Sequence, residues 1–379
     1  MKHISILIKP ASAQCNIRCK YCFYADISSL RDVRSYGKMK NETTEKMIAN
    51  IYLDLADGDE LTLAFQGGEP TLAGLAYFER LVKLVEQQSK RVTVHYAIQT
   101  NGMVINERWC RFLKRHDFLV GLSIDGSSTY HDLNRLDTKG RGTYHRVLIT
   151  KKLFDEFQID YNVLCVLTNQ LAKEAKKVFR FLQDQQIHFV QLIPCLDELH
   201  ADEKSSYVLS PQRFASFYQQ LFKLWLKELE NGKYISIKLF DDLVYLFANK
   251  QVNACGLIGN CQIQYVIEAD GSVYPCDFYV LDEYRMGFIQ DKGLKELFQQ
   301  TITRDFLCEK PKISSLCLNC PFKHYCGGGC KRMKDVIYVD EQYEFCGYQM
   351  LLNTLVPKLP AIIDSLEQFK HQQRLIKKG

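Results

Sequence analysis

Short apolar, β-branched runs recur along the first two-thirds of the chain, at residues 4–8, 61–65, 92–98, 118–124, 161–167 and 189–193. Each ends in a polar or glycine-bearing turn. Between them lie stretches with helical periodicity, at 43–55, 73–86, 107–114, 144–157 and 171–183. A sixth, 212–229, follows Ser210 as N-cap and Pro211 at the first helical position. Strand followed by helix, six times over, predicts a parallel sheet with right-handed crossovers. Periodicity alone fits an open doubly wound sheet and a partial barrel equally well.

The unusual residues of this region gather at strand ends. The second strand closes in Gln66-Gly67-Gly68-Glu69-Pro70 and the third in Gln99-Thr100-Asn101-Gly102. The fourth closes in Ser123-Ile124-Asp125-Gly126, and the sixth runs into Pro194-Cys195-Leu196-Asp197. Carboxyl ends of parallel strands share one face, where functional side chains collect. After the first strand, on that same face, come Cys15, Cys19 and Cys22 in a CX3CX2C spacing, followed by Phe23 and Tyr24. Three thiolates in eight residues can hold three corners of a [4Fe–4S] cube and leave the fourth iron free for a substrate. A zinc or structural cysteine loop is the competing reading. Zinc would want a fourth Cys or His nearby, and the next cysteine is Cys110.

Composition narrows the field. At 379 residues and 46% hydrophobic, the chain suffices for one large domain and a smaller one. A net charge of +5 is too mild to argue for nucleic acid. Lys173 to Lys177 read as a solvated helix face, and Lys377 with Lys378 as a basic tail. Residues 1–10 lack a signal-like apolar stretch and no run approaches a membrane span, so a cytoplasmic location without membrane association is expected. In that compartment fifteen cysteines point to metal or redox chemistry instead of disulfides.

Nine of them crowd the last third, and eight of these form a pattern. Cys255 and Cys261 flank a glycine-rich loop, and two short strands around Asp270-Gly271 read as a hairpin that runs into Cys276. Cys317, Cys320, Cys326, Cys330 and Cys346 follow. Eight thiolates make two complete four-ligand sites, suited to electron transfer if iron–sulfur and to structure if zinc. Cys110, Cys165, Cys195 and Cys308 read as ordinary thiols, with Cys195 singled out by its place at a strand end.

The CX3CX2C loop with Tyr21, joined to the Gly67-Gly68-Glu69-Pro70 turn in the right strand order, resembles the radical S-adenosylmethionine (SAM) superfamily. The resemblance implies a partial (β/α)6 barrel over residues 1–233. It implies SAM contacts at the positions of Tyr21, Gly68, Ser123, Arg135 and Leu196. Two glycines let the turn approach a ligand closely, with exposed N–H and C=O groups free to hold the methionine amino group. The spacing of Cys261, Gly271 and Cys276, followed by CX2CX5CX3C and a distal cysteine, is similar to the SPASM twin-cluster domain, expected over 255–346 as a small α+β unit. A helical linker (234–254) precedes it and a C-terminal helix with the basic tail (347–379) follows. In that family Cys255, Cys261, Cys276 and Cys330 hold one cluster, and Cys317, Cys320, Cys326 and Cys346 the other. Three [4Fe–4S] clusters are thus implied.

Two further stretches look like the anaerobic sulfatase-maturating enzymes: Leu7-Ile8-Lys9-Pro10-Ala11-Ser12, and Val273-Tyr274-Pro275-Cys276-Asp277-Phe278-Tyr279-Val280-Leu281-Asp282. This resemblance implies oxidation of the Cys or Ser of a Cys/Ser-X-Pro-X-Arg sulfatase peptide to Cα-formylglycine. A 5′-deoxyadenosyl radical would take hydrogen from Cβ, Asp277 would accept the thiol or hydroxyl proton, and an auxiliary cluster the remaining electron. A flavodoxin or ferredoxin would supply reducing power. Tyr24, Gln66 and Gln99 are candidates for the peptide pocket. Maturases that crosslink or epimerise other ribosomal peptides share these clusters. Many carry an N-terminal leader-binding domain, which a first strand beginning by Ile4 leaves no room for. A mere electron carrier has no use for CX3CX2C beside a GGEP turn.

Overall fold

The computed structural model describes residues 2–251, 254–309 and 313–376, with side chains through 372. The basic pair Lys377 and Lys378 lies outside the described residues. Twelve strands are formed among them. In chain order they are β1 (His3–Ile8), β2 (Ile17–Cys19), β3 (Glu60–Phe65), β4 (Thr93–Thr100), β5 (Leu119–Ser123), β6 (Arg135–Asp137), β7 (Tyr161–Leu167), β8 (Phe189–Pro194), β9 (Ser236–Ile237), β10 (Val266–Ile267), β11 (Ser272–Tyr274) and β12 (Gly287–Phe288). Ten join one sheet in the order β12-β11-β10-β1-β3-β4-β5-β7-β8-β9. From β1 through β9 every pairing is parallel and the strand order follows the chain in one direction. A doubly wound sheet reverses direction at a switch point, and this one does not. The partial barrel is the fold.

The intervening helices bury one face each against the sheet. The helix Glu107–Arg115 is capped by Asn106, whose side chain accepts from Trp109 N–H, and it buries Trp109, Phe112 and Leu113 at helical spacing. Phe65, Phe78, Trp109, Phe112 and Phe118 interlock edge-to-face and stacked beneath β3 and β4. The expected start of the sixth helix holds: Ser210 accepts from Arg213 N–H and Pro211 opens the helix Pro211–Glu230.

The cysteine-rich third does not stand apart. The Asp270-Gly271 hairpin forms as β10 and β11, and β10 pairs in parallel with β1, through Leu7 and Val266 and through Ile8 and Ile267. The main sheet therefore runs on into this region from the barrel's first edge. At the other edge β9 begins the stretch expected as a linker and pairs with β8, before the helix Lys238–Asn249. The C-terminal stretch forms two helices, Gly347–Leu355 and Leu359–Ile376, and the first packs back on Pro211–Glu230, with Gln219 donating to Met350 O and Thr354 Oγ1.

Candidate active site

The cysteine loop is built by turns and by a small ribbon that the periodicity does not reveal. Ser12 N–H bonds Lys9 O and Gln14 N–H bonds Ala11 O, bending the chain off β1. Then β2 pairs antiparallel with β6 so that Cys19 faces Arg135 across the ribbon. Cys22 begins the helix Phe23–Ser29. The Gly-Gly turn closes over this loop. Gly68 N–H donates to Ser12 O (2.8 Å) and Glu69 N–H to Gln14 O (2.7 Å). A Cβ on Gly68 would sit 2.1 Å from Gln14 O, so only glycine permits the approach. The N–H groups expected to be exposed for a ligand are thus spent on holding the cysteine loop. The turn's carbonyls are the groups suited to an ammonium.

Buried polar groups fix the rest. Glu69 accepts from Thr71 Oγ1, Thr100 Oγ1 and Asn101 N–H, tying the turn to the end of β4. Asp125 accepts from Tyr21 Oη, Arg135 Nε (2.9 Å) and Val166 N–H (2.9 Å). Arg135 is therefore a buried ion pair, with a guanidinium nitrogen 3.8 Å from Cys19 Sγ. Asn101 Nδ2 lies 3.7 Å from Cys15 Sγ. Burial pushes the Cys15 thiol up to about 11 and Cys19 up to about 12, and raises Cys22. Left to themselves these thiols stay protonated. A bound iron–sulfur cluster would ionise them, while Arg135 and Asn101 donors steady the sulfurs.

A cavity of about 270 Å³ opens beside the loop, lined by Cys19, Tyr21, Cys22, Phe23 and Leu196 among others. Two of the five expected SAM contacts, Tyr21 and Leu196, thus face one space with two of the cysteines. Ser123 ends β5 half-buried, and Cys195 is a buried thiol whose Sγ–H points to Leu196 O at 3.9 Å.

Asp277 comes to this face from the cysteine-rich third. The rings of Phe23 and Phe278 stand 5.1 Å apart, bringing the residue after Cys22 against the residue after Asp277. One carboxylate oxygen lies 2.5 Å from Lys9 Nζ and the other accepts from Gln66 Nε2, while Asp277 N–H donates to Gln264 Oε1. Asp277 is within electrostatic reach of Cys22 and of Cys276. Of the pocket candidates, Gln66 touches Asp277 and Gln99 is exposed on the sheet face opposite the buried Ile98. Tyr24 is not a free pocket wall: it is 2% exposed, its hydroxyl bonds Glu268, and Lys9 Nζ sits 3.7 Å above its ring. Arg31 pairs with the same Glu268 at 2.7 Å. Lys9 appeared only inside a matching stretch, and Glu268 and Arg31 carried no signal in the sequence, since their partners lie more than two hundred residues away.

In the last third, Cys255 lies within electrostatic reach of Cys261 and Cys330, and Cys276 within reach of Cys255 and Cys330. Cys326 lies within reach of Cys317 and Cys320, and Cys346 within reach of Cys326 and Cys317. Among the described residues no three such side chains converge as tightly as the ligands of a single ion.

Residues 10–182 match the radical SAM superfamily, and residues 255–321 match SPASM, an iron–sulfur cluster-binding domain. Fold and site thus define a radical SAM barrel with an iron–sulfur-binding extension. A cysteine-type anaerobic sulfatase-maturating enzyme of Clostridium perfringens (strain 13) is 43% identical over 88% of this chain and 90% of its own. One from Clostridium novyi (strain NT) is 37% identical over 98% and 100%. The solved structure of native anSMEcpe with bound AdoMet and Kp18Cys peptide superposes with a TM-score of 0.88 at 38% identity, covering 96% of this chain and 99% of that one. The chain belongs to the anaerobic sulfatase-maturating enzymes.

Proposed function

We propose that this enzyme oxidises a cysteine, or a serine, of a sulfatase Cys/Ser-X-Pro-X-Arg peptide to Cα-formylglycine. Cys15, Cys19 and Cys22 hold the substrate-binding cluster, and SAM lies against Tyr21, Gly68, Ser123, Arg135 and Leu196. The other two clusters sit on the two cysteine quartets. When bound, these groups supply a radical that takes hydrogen from the target Cβ and an acceptor for the second electron. The chain's own part is to orient and deprotonate. Asp277 takes the proton from the target side chain, and its side chain keeps 12% of its surface accessible for that contact. A serine target gives the aldehyde directly, whereas a cysteine target gives a thioaldehyde that water hydrolyses with release of sulfide. Gln66 orients the carboxylate. The barrel occupies residues 1–233 and the two-cluster domain 255–346.

The observation that supports this reading most is the convergence of Asp277, the neighbour of Cys276, on Lys9 and Gln66 at the ends of β1 and β3. On this reading Asp277 would serve as proton acceptor between two cluster sites. The relatives' names support the sulfatase peptide as substrate, and cysteine ahead of serine. Among the described residues no helix is long and apolar enough to cross a membrane. The reading has the enzyme work in the cytoplasm with a flavodoxin or ferredoxin as electron donor.

Anoxic reconstitution with iron, sulfide, SAM and dithionite tests it. With a Cys-X-Pro-X-Arg peptide, an aldehyde that reacts with hydrazine, together with 5′-deoxyadenosine, is expected. Crosslinked or epimerised products on other peptides, and none here, would overturn the substrate assignment.

A further inference from the structure

We propose that Lys9 is a positioning residue for Asp277. Its ammonium holds the carboxylate in the orientation in which it meets the target's proton. This rests on the role given to Asp277 above.

Lys9 is fully buried, and a lysine stripped of water costs several kcal/mol unless a partner compensates it. Its surroundings are built for that purpose. Lys9 N–H donates to Ile267 O of β10 (2.8 Å), so its backbone is already bound to the strand that precedes Glu268. Gly67, at φ +126°, packs on the aliphatic stem, and a Cβ there would lie 3.2 Å from Lys9 Cβ and Cγ. Tyr24 covers the ammonium with its ring face at 3.7 Å to the centroid. Glu268 lies within electrostatic reach and is itself held by Tyr24 and Arg31. The remaining direction is Asp277 Oδ1 at 2.5 Å, a charge contact whose angles are not those of an aligned hydrogen bond.

The carboxylate is thus gripped at both oxygens, by a charge from β1 and by the Gln66 amide from β3. A charge with no exposure cannot touch the peptide in this arrangement, so Lys9 acts through Asp277. A purely structural role would make Lys9 one of several pegs joining β1 to β10, and its loss would then impair every step equally.

The test is Lys9→Met, which keeps the unbranched stem and removes the charge, compared with Asp277→Asn and the double variant. Iron content and dithionite-driven 5′-deoxyadenosine release should stay within about twofold of the parent. The kcat for aldehyde should fall about tenfold or more with peptide KM held within about twofold, so that more 5′-deoxyadenosine is released per aldehyde. The double variant should be no slower than Asp277→Asn alone, because the two act as one unit. A crystal structure of Lys9→Met should show the carboxylate turned away from Gln66. An unchanged aldehyde rate, losses that multiply in the double variant, or a parallel loss of iron and SAM cleavage would each overturn the assignment. If the parent enzyme forms no aldehyde, the functional reading fails instead, and the position of Asp277 in the Lys9→Met crystal still decides the role of Lys9.

Discussion

Asp125 and Asp277 are both buried aspartates, each paired with one cation and held by neutral donors near the three-cysteine loop, yet they are built for opposite ends. Asp125 is 2% exposed and saturated from all sides: Tyr21, Arg135 and Val166 N–H donate to its carboxylate, and its own N–H donates to His131 Nδ1. Asp277 has Lys9 and Gln66 and keeps a solvent-facing edge. A carboxylate whose every direction is filled is a scaffold, and one gripped from behind and open in front can receive a proton.

The sharpest way to break this contrast is to neutralise each acid in turn. Asp277→Asn should lower aldehyde formation by about 10²- to 10⁴-fold, the usual worth of a general base, while iron content and 5′-deoxyadenosine release persist. Mass spectrometry of the peptide against chromatography of the nucleoside reads the two separately. Undiminished aldehyde would remove Asp277 from the reaction. Asp125→Asn should instead strand the Arg135 charge and cost about 3–5 kcal/mol of folding stability in anaerobic urea unfolding. SAM cleavage and aldehyde would then fall together, because the ribbon holding Cys19 loosens. A stable Asp125→Asn protein that cleaves SAM normally would make the two acids alike after all.

A smaller effect comes from the histidine behind Asp125. Burial first, then the Arg135 charge, hold His131 down to about 4 from its usual 6.5, while its Nε2–H donates to Thr143 Oγ1. The unfolded chain takes up a proton there before the folded one does. The stability from neutral His131 is therefore complete above pH 6.5 and drains as pH falls toward 4, to a total of about 3 kcal/mol. Urea unfolding across that window should show this slope in the parent and lose it in His131→Gln. An identical slope in both would exclude His131 as its source.

Much of this site could be read locally. Cys15, Cys19 and Cys22 sit within eight residues, so their spacing alone states that one loop gathers them. Asp277 was offered by the family resemblance of the stretch around Cys276, and the Gly67-Gly68 turn stood out because two glycines at a strand end signal a close approach. The ribbon of β2 and β6 did not show, since three-residue strands are too short to carry a period. Nor did the positions of Arg31 and Glu268, whose meaning lies wholly in each other. Tyr24, expected on the pocket wall, is taken up inside that pair's network.

By itself, the sequence determined the alternation of strands and helices, the loop that gathers three thiols, and the supply of eight more for two further sites. Those are consequences of periodicity and of spacing along a chain. The tertiary structure decided that strand order advances without reversal, that β10 docks on β1, and that Lys9 therefore meets Asp277 across 268 residues of sequence. The physical reason is that burying an ammonium is tolerable only where a carboxylate is brought to it. That condition is fulfilled by packing, and no local stretch of residues can announce it.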